Sequence, residues 1–130
     1  ELEPADPYTD EDLNYNNEDS RVSQEYADES LRDVELVSDT VENWDSYDTV
    51  FIGYPIWWDV CPRPVNTFLE KYDFTGKTVI PFATSGGSSI TNSVRQFKKL
   101  YPKIKWGEGR LFNSGAKQAE NWSKQIIEKL

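Results

Sequence analysis

The sequence predicts an α/β domain with helices on both faces of a parallel sheet, and three observations predict it. First, residues 49–129 alternate strand, helix, strand, helix, strand, helix, an order that implies right-handed crossovers between parallel strands. Second, Thr49 to Tyr54 is β-branched and aromatic with no charge, the pattern of a short strand buried on both faces. Third, the first two strands each run into a distinctive loop, and in open parallel sheets ligands gather at the carboxyl ends of strands. The 130 residues suit one domain, 1–130, with a single core.

The N-terminal third is the least regular. Glu1, Leu2 and Glu3 read as the end of a strand, cut off by Pro4 and Pro7. Thr9 to Tyr15 predicts a helical turn with Thr9 as its cap, and Glu18 to Asp28 a short helix with Val22 and Tyr26 on one face. Residues 29–47 are irregular, with Leu36, Val37 and Val41 expected to cover the core edge. Trp44 and Tyr47 then lead into the first buried strand. Its end, Pro55, cannot donate to a ladder, and Trp57 and Trp58 follow at once, so the strand runs out into a loop with paired aromatic surface.

Pro62 and Pro64 open a helix whose inward stripe is Val65, Phe68, Leu69 and Tyr72, and Gly76 ends that unit. Lys77 to Thr84 is the second strand, followed by Ser85, Gly86, Gly87, Ser88 and Ser89. A helix over 90–101 turns Ile90, Val94, Phe97, Leu100 and Tyr101 inward until Pro102 stops it. Residues 104–113 form a last strand interrupted near Gly107 and Gly109. A closing helix over 116–129 carries Ala119, Trp122, Ile126 and Ile127 inward.

Charge is unevenly placed. Residues 1–48 hold 17 acids against Arg21 and Arg32, whereas residues 49–130 hold 6 acids and 12 bases, within an overall net charge of −9. The acidic third either packs on the basic remainder or is simply solvated, and such a chain does not bind nucleic acid through a diffuse basic field. No apolar run approaches the ~20 residues of a membrane span. No signal-peptide pattern opens the chain. Lone Cys61 excludes an intrachain disulfide and fits a reducing, cytoplasmic setting, with a secreted or lipid-anchored mature form as the alternative. The absence of Met, with Glu1 first, leads to the expectation of a further N-terminal segment.

The chemistry available is narrow. With no His, the commonest general base and metal ligand is missing, and no carboxylates form a recognisable acid/base or metal motif, so no catalytic residue and no metal site are assigned. Cys61 is either a reactive thiol near a helix start or a small buried hydrophobe. The Trp pair serves either a ring ligand or the core, and the Ser-Gly loop either meets a ligand or only turns and caps a helix. Together, at consecutive strand ends, they favour a planar aromatic ligand with polar edges.

The segment YDTVFIGYPIWW, followed by PRPVNTFLEKYDFTGKTVIPFATSGGSSI, resembles the flavodoxin-like proteins, in the subgroup with a G-Y-P-x-W-W loop and a later T-S-G-G-S loop. The resemblance covers residues 1–129. It implies a three-layer doubly wound sheet of order 2-1-3-4-5 with FMN at the strand ends. On that resemblance Pro55, Ile56, Trp57 and Trp58 line one side of the flavin ring, with Asp59 nearby where many relatives have Gly. Thr84, Ser85, Gly86, Gly87 and Ser88 meet its pyrimidine edge. The family's first strand and phosphate-binding loop have no counterpart here, so the expectation is an open sheet edge beside Thr49 and weakened FMN binding. The functions implied are electron transfer to a partner protein, or an oxidoreductase passing electrons from NAD(P)H to a quinone or other small acceptor. The alternatives are a flavin-free interaction module, dimerising through the sheet edge, and a binder of aromatic rings without phosphate recognition.

Overall fold

A computed structural model describes residues 1–38, 40–113 and 116–129. Its sheet is parallel: β1 (Thr49–Pro55) pairs with β2 (Thr78–Thr84), and β2 pairs on its other side with β3 (Lys105–Trp106) and β4 (Arg110–Leu111). Helices α1 (Arg21–Ala27), α2 (Arg63–Lys71), α3 (Thr91–Leu100) and α4 (Ala116–Glu128) complete the order, with short 3-10 turns at Glu29–Arg32 and Trp44–Ser46. Alternate residues of a strand face opposite sides. Ile52, Tyr54, Val79 and Ala83 therefore join α2 and α3 in the main core, through Val65, Phe68, Leu69 and Phe97. Ile80, with Phe51 and Phe82 packed alongside, meets Trp122 of α4 on the other face. Three layers result, as the sequence predicts.

Two residues of the sheet fix its detailed shape. Gly53 lies opposite Phe82, and a Cβ on Gly53 would stand 2.4 Å from the Phe82 ring, so the glycine makes room for the aromatic side chain of the neighbouring strand. Pro81 explains the interrupted last strand. The bonds Gly107 N–H to Val79 O and Phe112 N–H to Ala83 O, each 2.8 Å, show that odd-numbered residues of β2 point their backbone groups at β3 and β4. Pro81 is the one that has no N–H to offer. Between the Val79↔Trp106 and Phe82↔Arg110 pairs the outer strand carries one extra residue, a bulge at Gly107 to Gly109 lying against the Pro81 ring.

On its other side β1 has no strand partner among the described residues. Asp48 O accepts from Thr78 N–H and Ile56 N–H donates to Thr84 O, so the even-numbered residues of β1 face β2. The backbone groups of Thr49, Phe51 and Gly53 therefore face a groove of about 520 Å³, lined also by Leu2, Trp44 and Phe68.

The N-terminal third folds over α2 and the Trp loop. Residues 29–36 cover α2 so closely that Arg63 to Leu69 are all buried, and Val34 N–H donates to the Thr67 hydroxyl at 2.8 Å. Several expectations change here. Glu1 to Glu3 do not join the sheet: Pro4 bridges antiparallel to Leu36, with Ala5 N–H to Glu35 O at 2.8 Å and Val37 N–H to Glu3 O at 2.7 Å. Extended pairing alternates side chains, so Leu36 reaches the core while Val37 turns outward, 62% exposed; Val41 is exposed as well. The helical turn expected after Thr9 is there: Thr9 and Asp12 cap each other and Leu13 N–H donates to Thr9 O at 3.3 Å. α1 buries Val22 and Glu25, not Tyr26, and Ile127 of α4 is exposed because Ala119, Trp122 and Ile126 already complete the inward stripe. Glu25 is the only buried acid of residues 1–48 among those described, so most of the acidic third is solvated.

Replacing Gly53 by Ala should destabilise the protein by about 1–3 kcal/mol, the usual cost of forcing a side chain into filled space. Chemical denaturation measures it, and the loss should shrink in a Phe82→Leu background, where the facing side chain can give way.

Candidate functional site

The Pro55↔Thr84 pair aligns the carboxyl ends of β1 and β2, and Ile56 N–H extends the ladder to Thr84 O at 2.9 Å. Two loops therefore leave the sheet from one place. In the second, the Ser85 hydroxyl accepts from Gly87 N–H at 3.2 Å and Ser88 N–H at 2.8 Å, while Ser85 N–H donates to the Asn113 side chain at 2.9 Å. Asn113, just beyond β4, thus ties the third strand end to this loop. Nothing in the sequence singled it out.

Gly86 and Gly87 are exposed, neither has the left-handed backbone that demands glycine, and a Cβ at either would meet nothing within 4 Å. The fold itself does not require glycine at these two positions. Open space beside the backbone is what a flat ligand needs to approach peptide N–H groups, and Gly86 N–H has no acceptor among the described residues. The residues fit the polar edge of a flavin ring in this respect.

The first loop is a tight two-residue turn. Trp57 and Val60 exchange backbone bonds of 2.9 and 3.1 Å, and the central residues Trp58 and Asp59 have φ of 50° and 65°. Both central residues are left-handed, as in a type I′ hairpin turn, which normally takes Asn-Gly. Because this segment is a turn, neither indole follows the alternation expected of an extended strand. Trp57, half-buried, meets the Tyr8 ring edge to face at 4.8 Å. Trp58, partly exposed, meets Tyr15 at 5.3 Å and Tyr26 at 5.9 Å. Asp59 is exposed at the tip. The structure thus brings Pro55 and Ile56 to Thr84, and both indoles to tyrosines of the N-terminal third.

Those tyrosines are held by a polar clamp that sequence reading missed. Tyr8 donates its hydroxyl to the Glu25 carboxylate, Arg21 bonds the same carboxylate at 2.9 Å, and the Arg21 guanidinium lies 3.7 Å over the Tyr8 ring. Buried Arg63 at the start of α2 donates to Glu25 O at 2.8 Å, so α1, Tyr8 and α2 are joined at one residue. Burial, then the Glu25 carboxylate, raises the Tyr8 pKa, which keeps the phenol protonated as the donor. The i, i+4 spacing of Arg21 and Glu25 was the available signal.

Cys61 is the buried hydrophobe of the two roles considered. Its thiol donates to Asn66 Oδ1 at 3.5 Å, and burial pushes its pKa up to about 12. Nearby, Tyr54 and Ser93 share a buried hydrogen bond of 2.8 Å. Among the described residues no group of three or more His, Cys, Asp or Glu could hold a metal ion, and no helix is long and apolar enough to cross a membrane.

Comparison with known proteins gives a consistent result. The flavodoxin family model matches residues 1–128. A crystal structure from Bacteroides eggerthii DSM 20697, assigned as a flavoprotein, is 50% identical, with a TM-score of 0.87 over 97% of this chain and 78% of that one. A second such structure, from Bacteroides uniformis ATCC 8492, is 46% identical, with a TM-score of 0.86 over 95% of this chain and 78% of that one. A flavoprotein of Lactobacillus acidophilus NCFM in complex with FMN shares the fold at 21% identity and a TM-score of 0.54, covering 70% of this chain and 57% of its own. No curated protein matches.

Native Cys61 should resist iodoacetamide at pH 8 and react on denaturation, followed by mass spectrometry. Unfolded, the thiol titrates near its ordinary 9.0; folded, it holds its proton to about 12. Its contribution to stability is therefore complete below pH 9 and lost as the pH rises toward 12, and Cys61→Ala should flatten that part of the stability profile.

Proposed function

The chain belongs to the flavodoxin family, and from that membership we propose that it is a flavin-holding domain that carries electrons at the joined ends of β1 and β2. The ring sits between the first loop, Pro55, Ile56, Trp57, Trp58 and Asp59, and the second, Thr84, Ser85, Gly86, Gly87 and Ser88. The observation that carries this reading is the pair Gly86 and Gly87, glycines with open space beside them that the fold does not demand, at a strand end aligned with the aromatic loop.

When bound, an FMN-type flavin supplies one- and two-electron redox chemistry. The residues supply position and environment. Ser85, fixed by Asn113, holds the loop so that its N–H groups and hydroxyls meet the polar edge of the ring, and pre-set donors of this kind favour whichever redox state carries more negative charge there. The aromatic loop gives apolar contact and excludes water. Asp59 adds a carboxylate that opposes charge build-up on the ring. The acceptor is either a redox partner protein or a small molecule such as a quinone, with NAD(P)H as donor in the enzymatic form.

One observation favours a second reading, a flavin-free interaction module. The outer edge of β1 is free among the described residues and borders a largely apolar groove, a surface suited to strand pairing with a second copy.

Titration with riboflavin and with FMN, following Trp fluorescence and the visible dichroism of the flavin, separates the two. Since none of the ten proposed ring contacts is a cation, the two flavins should bind within a few-fold of each other. Gly87→Val should weaken both at least tenfold while leaving the Tm unchanged. Unchanged signals at high concentrations of both flavins, with a colourless dimer in sedimentation, would support the interaction module instead.

A further inference from the structure

Tyr15, Tyr26 and Trp58 form an exposed aromatic surface, of which the flavin reading uses Trp58 alone. The three side chains are 41%, 50% and 40% exposed and come from three separate segments: the turn after Thr9, α1, and the hairpin tip after β1. Trp58 lies in the left-handed region, next to Asp59 in the same state. Left-handed backbone is costly for a bulky residue, and here it does not bury the indole. Its effect is to hold a large ring at the surface, braced by two tyrosines.

The surroundings are acidic. Asp10, Glu11, Glu18, Asp19 and Asp59 are exposed, and among the described residues none has a cation within 4 Å; the positive charges of this region are Arg21, engaged with Asp6, Asp12 and Glu25, and buried Arg63, which donates to Glu25 O. An aromatic centre within a charged rim is the anatomy of a protein-binding hot spot. The rings touch one another at 5.3 and 5.9 Å, so they present a face and not a slot into which a flat molecule could slide. Unpaired carboxylates repel nucleic acid and anionic membrane alike. Cations bind well over Trp and Tyr faces, above all the guanidinium of Arg.

We propose that Tyr15, Tyr26 and Trp58 are the anchoring centre of a docking surface for a protein partner that presents arginine or lysine side chains. The surface shares Trp58 with the proposed ring site, whereas Tyr15 and Tyr26 belong to the docking surface alone. It adjoins the aromatic loop, so a partner seated there is next to the proposed ring.

The test is made on the flavin-free full chain with a hexa-arginine peptide as probe and hexa-citrulline as its uncharged counterpart, read by Trp fluorescence and by isothermal titration. Hexa-arginine should bind and hexa-citrulline should not. Trp58→Gly, which relieves the left-handed backbone, should keep or raise the Tm yet weaken hexa-arginine binding at least tenfold, and Tyr26→Ala should weaken it severalfold. Asp19→Asn with Glu18→Gln should lower both affinity and its salt dependence. Equal binding by wild type, Trp58→Gly and Tyr26→Ala would overturn the proposal by showing charge alone at work. So would equal binding of the two peptides, or co-sedimentation with phosphatidylserine vesicles in preference to the peptide.

Discussion

The parallel pairing of β1 with β2 is the constraint from which the rest of the structure follows. Seven residues run in register from Thr49↔Thr78 to Pro55↔Thr84, so the strands end level and their loops start side by side. The Gly53–Phe82 fit holds that register: a shift by one residue would move every side chain to the opposite face and set Phe82 against a residue with a Cβ. Burial on both faces, by α2 and α3 on one side and α4 on the other, then makes the pair the centre of the domain.

Around this centre the chain uses polar groups sparingly and ties them off. Tyr54 with Ser93, Asn66 with both Cys61 and Tyr101, and Val34 with Thr67 each satisfy buried groups, and no buried side-chain N or O among those described lacks a partner. The clamp of Tyr8, Arg21, Glu25 and Arg63 does the same for the N-terminal third, linking an otherwise irregular acidic segment to the start of α2. It also sets Tyr8 against Trp57. The aromatic loop is thus supported from the N-terminal third, and the Ser-Gly loop from the far strand through Asn113.

Much of this was legible in the sequence where side-chain chemistry acts locally. The uncharged run at Thr49, the 3- and 4-residue spacing around Phe68 and Trp122, and the glycines of the last strand marked their elements correctly. The bulge could have been argued in full, because Pro81 in a buried strand must leave its neighbour without a donor. The harder cases depend on long-range partners. Glu3 looked like a sheet strand but its carbonyl accepts from Val37 N–H; Tyr26 looked buried, but Glu25 takes the inward position because Tyr8 and Arg21 satisfy its charge. Trp58-Asp59 carries none of the Asn-Gly signal of the turn it makes, so no local rule finds it. The two loops were identifiable as a pair because both follow buried strands; Asn113 was not, because only the folded strand order brings it to Ser85.

The central claim is that a flavin ring lies between these two loops. Amide and indole NMR resonances of isotopically labelled protein, recorded while riboflavin is added, test it most directly. The account predicts that the backbone signals of Ile56, Gly86 and Gly87 and the indole signals of Trp57 and Trp58 shift together and saturate at one concentration. Shifts confined to the groove beside Thr49 and Phe51, or no shift at saturating riboflavin, would contradict it.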